Sequence, residues 1–145
     1  MHSGLEAAGR TPDAFDLAAC FWVSISDDAS AARLALGEKL AYYGPSIAAR
    51  LLAEVGLTPA DFVEAAALAH RGESAAAARV VDDRALALGI AGDAKDVLLR
   101  CQGLRDRGAE HLSFGPPLGS DPAAAVGILG RDVLPELRRE EAADG

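Results

Sequence analysis

Residues 17–25 read LAACFWVSI, a nearly continuous apolar run followed at once by Ser26-Asp27-Asp28. Strict alternation of apolar and polar positions is absent, so this is not a strand with one wet face. A strand covered on both faces reads this way, and such strands belong to parallel sheets. Ser26, Asp27 and Asp28 are N-cap residues for a helix over 29–43, because their short side chains accept hydrogen bonds from the first free amides. Gly44-Pro45-Ser46 interrupts, and a second helix runs to about Val55, before Gly56. Thr58 as N-cap and Pro59 at the first helical position open a third, which ends near Arg71-Gly72. A fourth helical segment is expected from Glu73 to about Leu88, with Val80-Val81 and Leu86-Leu88 at helical spacing. Gly89-Ile90-Ala91-Gly92 is short and small for a strand, but its position suits one.

Asp93 caps the next helix, with Asp96 three residues on as an acidic capping box. Val97, Leu98, Cys101 and Leu104 form its apolar stripe, and Gly108 stops it. Glu110–Phe114 is then a five-residue strand, with Leu112 and Phe114 on one face and His111 and Ser113 on the other. Gly115-Pro116-Pro117-Leu118-Gly119 reads as a loop. A last helix follows Pro122, breaks at Gly130 and resumes through Val133-Leu134 and Leu137, leaving a frayed tail over 140–145. At the other end, residues 3–9 read as a helix stopped by Gly9, and Thr11-Pro12-Asp13 as a turn. Strands separated by whole helices pair in parallel, so the chain is expected to be a helix-rich α/β protein. Two firm strands and one weak one leave apolar edges unpaired, as in part of a larger sheet.

The chain has 145 residues, the size of one domain, with 50% apolar and 25% charged residues. Its net charge of −8 argues against nucleic acid as a partner, since phosphate binding needs a basic face. No window carries roughly 18 consecutive apolar residues, so no membrane-spanning helix is expected. The start, MHSGLEAAGRTPDAFD, lacks the basic-then-apolar pattern of a signal peptide. Cys20 and Cys101 have no C-x-x-C partner and read as buried, reduced thiols of a cytoplasmic protein. His2, His70 and His111 show no ligand spacing, so no metal is expected.

Four stretches together carry a resemblance: AFDLAACFWVSISDD (14–28), LAYYGPSIAARLLAEVG (40–56), the block from IAGDAKD through HLSFGPPLGSDP (90–122), and ILGRDVLPELR (128–138). In this order they resemble the C-terminal part of the luciferase-like superfamily, in the deazaflavin-dependent branch that includes methylenetetrahydromethanopterin reductase. The resemblance implies a partial TIM barrel in which 17–25 is a late strand, 110–114 the last, and 29–88 a helical insertion between them. It also implies a deazaflavin coenzyme or FMN as cofactor, a small-molecule substrate once the barrel is completed, and reductase or monooxygenase chemistry. Residues matching the first half of such a barrel are missing, so this chain alone is expected neither to bind cofactor tightly nor to turn over. The alternative is a non-catalytic interaction module, a barrel remnant that pairs with itself as a homodimer or with a separately encoded N-terminal half.

Active sites of TIM barrels gather at the C-terminal ends of the strands. On that reading Gly115, Gly119 and Ser120 lie on the rim and are candidate cofactor contacts, with glycines permitting close backbone approach. The same residues also describe a rigid turn, in which proline fixes φ and glycine supplies positive φ. Ser26, Asp27 and Asp28 would face the rim too, although capping accounts for them. Lys39 and Tyr43 are candidate substrate contacts beside the helix break, with Tyr42 and Ser46 nearby. Tyr42 and Tyr43 cannot share a helix face, so one should pack and the other point outward. His70 suits a helix C-terminus, and His111 is a structural histidine or a rim residue. No nucleophile elbow, dinucleotide fingerprint or P-loop is present, and no residue is assigned a catalytic role.

Overall fold

A computed structural model describes Gly4, residues 7–11 and residues 16–144. The run at 17–25 forms strand β1, Ala18–Ile25, which lies at the centre of a three-stranded, wholly parallel sheet. On one side it pairs with β2, Ile90–Gly92, through Val23–Ile25 only. On the other it pairs with β3, His111–Leu118, along most of its length, starting with Ala18 opposite His111. The two long strands are therefore neighbours, and everything from 26 to 110 crosses over between them.

The helices are α1 (Ala29–Tyr43), α2 (Ala49–Glu54), α3 (Val63–His70), α4 (Ser74–Val80), α5 (Ala94–Arg105), α6 (Pro122–Ile128) and α7 (Leu134–Asp144). Side-chain caps fix where they begin. Asp28 Oδ1 accepts from Ser30 N at 2.9 Å and Ala31 N at 3.3 Å at the start of α1. Asp61 Oδ2 accepts from the Thr58 amide at 2.7 Å ahead of α3. Asp93 and Asp96 exchange side chain and amide at 3.0 and 3.2 Å at the start of α5. These bonds to amides, with the Ser30 and Thr58 hydroxyls, hold the Asp28 and Asp61 carboxyls below their ordinary value.

Alternate residues of the sheet feed two cores. Phe21, Val23 and Ile25, with Leu112, Phe114 and Leu118, pack on α5 and on the α6–α7 segment through Val97, Cys101, Ile128 and Val133. Trp22 and Ala91 face the other way, onto Leu36, Leu40, Leu52, Leu57 and Phe62 of the crossover. The both-faces-covered reading holds for the C-terminal half of β1, while Ala18 and Cys20 are exposed.

Four local expectations are corrected. The segment 73–88 is not one helix: α4 ends at Val80, Val81 turns extended at ψ 128°, and Asp82 caps a separate 3-10 turn over Asp83–Leu88. Arg84 braces that turn, donating to Asp82 and, at 2.6 Å, to the Gly56 carbonyl. The Arg84 side chain, then its amide, lowers the exposed Asp82 carboxyl to about 2. The depressed value means that this brace contributes fully above pH 3.8 and is lost as pH falls through about 2. Second, 115–118 is not a loop, for β3 continues through it with one extra residue opposite Trp22–Ser24. β3 is an edge strand, and edge strands and bulges tolerate proline because no ladder donor is needed there. The Pro116–Pro117 bond is cis, and Leu118 sits at φ 70°. Third, the last helix does not break at Gly130: a π turn over Leu129–Val133 joins α6 to α7. Fourth, Cys20 is exposed, and only Cys101 is buried.

Gly9 takes φ 62° and Ala8 N donates to Gly4 O, but Ser3, Leu5 and Glu6 lie outside the described residues, as do Pro12, Asp13 and Gly145. No helix among the described residues is long and apolar enough to cross a membrane.

Candidate functional site

The face of the sheet turned away from α5, α6 and α7 carries Cys20, Trp22, Ser113 and Gly115 in adjacent register, Cys20 opposite Ser113 and Trp22 opposite Gly115. Over this face the crossover leaves an open groove of about 470 Å³, walled by Cys20, Trp22, Gly115 and Pro116 from the sheet and by Ile47 and Leu51. Gly115 has a steric reason to be glycine. A Cβ there would meet the Phe21 carbonyl oxygen, backbone of the neighbouring strand, at a tight 3.0 Å, while Trp22 Cδ1 would be in ordinary contact at 3.6 Å.

The Trp22 ring is shared between this groove and a second cluster. Tyr43 lies 5.6 Å from it, ring to ring, and Lys39 Nζ stands 5.3 Å from the Trp22 centroid and 4.6 Å from that of Tyr43. Lys39 and Tyr43 are one helical turn apart on α1, whose rotation is set by the burial of Leu36 and Leu40. Tyr42 meets Tyr43 edge-on at 4.9 Å and His70 at 5.5 Å. The expectation that one tyrosine packs and the other points out is corrected, since Tyr42 is 53% and Tyr43 43% exposed.

The sequence candidates thus separate. Gly115 lines the groove, while Lys39 and Tyr43 sit on the Trp22 ring that walls it. Gly119, at φ 154°, faces the Ile25 carbonyl, where a Cβ would be 2.7 Å from the oxygen. Ser120 is exposed, and the amides opening α6 at Ala123 and Ala124 are taken by the Asp121 carboxylate at 3.0 and 3.1 Å. Ser26 Oγ accepts from the Asp28 amide at 3.1 Å, a capping role. His70 Nδ1 is 2.6 Å from Ala66 O within its own helix. His111 pairs with Asp16 at 2.5 Å at the N-terminal end of β3, opposite the strand end that carries Gly115. Among the described residues no group of metal-ligating side chains is assembled.

Trp22 was not singled out from sequence, and Cys20 was read only as a buried thiol. The unbroken apolar run conceals which residues share a face, and only the register with Ser113 and Gly115 reveals it. Ser24, on the same face, is fully buried, and its Oγ has no hydrogen-bond partner among the described residues.

The two thiols differ sharply. Burial pushes Cys101 up to about 11, whereas Cys20 opens onto the groove. Because the thiolate is the reactive form, a disulfide-exchange reagent at neutral pH should release one fast equivalent, which Cys20→Ser abolishes. Cys101 should react only as the protein unfolds; two fast equivalents from native protein would contradict this assignment.

No family model matches the chain. It is 28% identical to the 5,10-methylenetetrahydromethanopterin reductase of Archaeoglobus fulgidus over 95% of its own length and 43% of that protein. To the reductase of the same name from Methanolobus tindarius it is 27% identical, over 91% of this chain and 41% of the relative. The solved coenzyme F420 dependent tetrahydromethanopterin reductase of Methanopyrus kandleri superposes with a TM-score of 0.79 at 27% identity, over 92% of this chain and 39% of that one. The chain therefore spans about two-fifths of the length of the proteins it matches. In sequence and in fold it is similar to the C-terminal part of 5,10-methylenetetrahydromethanopterin reductases, and its helix-rich α/β architecture with a three-stranded parallel sheet is that of a partial luciferase-like TIM barrel.

Proposed function

We propose that the chain supplies the closing part of a deazaflavin-dependent oxidoreductase barrel and that its groove forms one wall of the ligand site. The observation that carries this reading is the face of the groove. It lies on the side of the sheet away from α5–α7, which is the interior side of a barrel, and its walls are mostly apolar. Such a wall would suit one face of a flat ring, with Gly115, Pro116 and Trp22 among the residues that would hold it. When bound, a deazaflavin coenzyme supplies hydride transfer; FMN, and with it monooxygenase chemistry, would use the same ring slot. This chain's residues position the ring and exclude water. Gly115 is assigned to the cofactor side, and Lys39 and Tyr43 to the substrate side. Gly119 and Ser120 remain rim positions, with Asp121 disfavouring a phosphate there. No Lys or Arg is among the residues that line this groove, so the phosphate of such a coenzyme would be held elsewhere. A reducing, cytoplasmic setting suits the exposed thiol of Cys20.

The test is a chimaera in which this chain replaces the corresponding C-terminal part of the Methanopyrus kandleri reductase. The chimaera should bind the deazaflavin coenzyme, read by its fluorescence, while the isolated chain should not bind at micromolar concentration. Micromolar binding by the chain alone, or a folded chimaera that fails to bind, would overturn the reading.

A second reading, an interaction module that pairs with itself or with a separately encoded N-terminal half, is favoured by one observation. The outer edge of β3 has no strand partner among the described residues, nor has β1 beside Ala18–Trp22 on the β2 side. Such edges are templates for pairing. Sedimentation at low concentration separates the readings: a sharply melting monomer counts against the module.

A further inference from the structure

We propose that Trp22, Tyr43 and Tyr42 form a relay that carries one-electron oxidising equivalents from the groove to the protein surface. This goes beyond the ligand-site reading and needs only that Trp22 walls the groove. The chain has one tryptophan and two tyrosines, and all three stand in a single row. The Trp22 and Tyr43 rings are 5.6 Å apart, centre to centre, and the Tyr43 and Tyr42 rings 4.9 Å. Rings at this separation are in contact, and electrons pass between touching rings far faster than across a layer of aliphatic side chains. The four phenylalanines are too hard to oxidise to take part, and Phe21 and Phe114 pair on the opposite face of the sheet.

The two ends of the row differ in setting. Trp22 is half-buried and opens onto the groove, whereas Tyr42 and Tyr43 are exposed on α1. An oxidised phenol is a strong acid, and exposure lets it give its proton to water, which holds the electron vacancy there. Lys39 reinforces this. Its ammonium stands 5.3 Å from the Trp22 centroid and 4.6 Å from that of Tyr43. A cation so placed disfavours a radical cation on either ring and drives proton loss instead. A one-electron oxidant in the groove, of the peroxyl or azidyl radical class, takes an electron from Trp22, and the indole N–H proton goes to water. Tyr43 then gives an electron to Trp22 and its O–H proton to water, while the indole takes a proton back. Tyr42 restores Tyr43 in the same way. A soluble thiol returns Tyr42 to the phenol by giving up a hydrogen atom, leaving a thiyl radical in solution. The oxidant is reduced by one electron, the thiol is oxidised by one, and the protein is unchanged.

Pulse radiolysis with the azidyl radical, which oxidises indole first, tests the relay in the full chain. The parent protein carries Cys20→Ser, because Cys20 lies two residues from Trp22 on the same strand face and its thiol would quench the indole radical. With one tryptophan present, the indolyl signal belongs to Trp22 alone. The indolyl absorption should decay as the tyrosyl absorption rises, with one rate constant that does not depend on protein concentration. Tyr43→Phe keeps the ring and its packing but should lose this fast phase, since a ring that resists oxidation then separates Trp22 from Tyr42. Tyr42→Phe should keep the fast phase, with the vacancy stopping at Tyr43. An indolyl radical that persists in the parent protein, or a rate that rises with protein concentration, would overturn the proposal. So would an undiminished fast phase in Tyr43→Phe, or its loss in Tyr42→Phe, because the first transfer would then not run to Tyr43.

Discussion

Phe62→Ala should lower the unfolding free energy by about 3–5 kcal/mol, the usual range for removing a fully buried aromatic ring. Phe62 is 1% exposed and packs with Leu36, Leu40, Leu52 and Leu57, the cluster on which the crossover rests. Its ring lies so close to the backbone at the end of α1 that a Cβ on Gly44 would fall 2.1 Å from Phe62 Cδ1. Gly44 has φ −49° and ψ −47°, an ordinary helical conformation, so alanine there is excluded by the ring and not by the backbone. Gly44→Ala should cost about 1–3 kcal/mol through overpacking. The two changes should not add. With the ring removed, the new methyl enters the vacated space, and the double variant should be less destabilised than the sum by about 1–3 kcal/mol. Urea unfolding followed by Trp22 fluorescence, in the same cluster, measures all three variants. Additive costs would mean that the ring does not lie over Gly44.

What could be read without coordinates follows from local punctuation. α1 begins and ends where the sequence places it because Asp28 caps it and Gly44-Pro45 stops it, each through its own backbone chemistry. β1 was legible as an apolar run bounded by capping residues, which few other structures produce. The segment 73–88 misled because its apolar pairs keep helical spacing and no glycine or proline marks the break. The signal present was Asp82-Asp83, since aspartate accepts from the amide two residues on, as Asp82 does from Arg84 at 2.8 Å. Gly-Pro-Pro-Leu read as a loop because proline is excluded from central strands, and sequence does not reveal that β3 lies at an edge. The candidate site was half legible. Lys39, Tyr43 and Gly115 could be placed at a helix break and a strand end, whereas Trp22, which joins them, depends on which face of β1 meets the crossover.

Gly119→Ala should cost about 2–4 kcal/mol, and Gly130→Ala should stabilise the protein by up to about 1 kcal/mol, though both replace a glycine near the last helix. The difference lies in what each backbone allows. Gly119 has φ 154°, where an L side chain is strained, and its Cβ would stand 2.7 Å from the Ile25 carbonyl oxygen. That neighbour is backbone of the central strand and cannot rotate away. Relief requires moving β1 or lifting the start of α6, whose Ala125 and Ile128 belong to the core beneath the sheet. Gly130 lies within the helical segment, and nothing stands within 4 Å of its Cβ position. Alanine there only restricts the unfolded chain and favours the helix. Thermal unfolding of the two variants beside the wild type gives the contrast directly. A Gly119→Ala variant as stable as the wild type would show that β3 does not hand over to α6 against Ile25. The rim containing Gly115, and with it the groove, would then be misplaced.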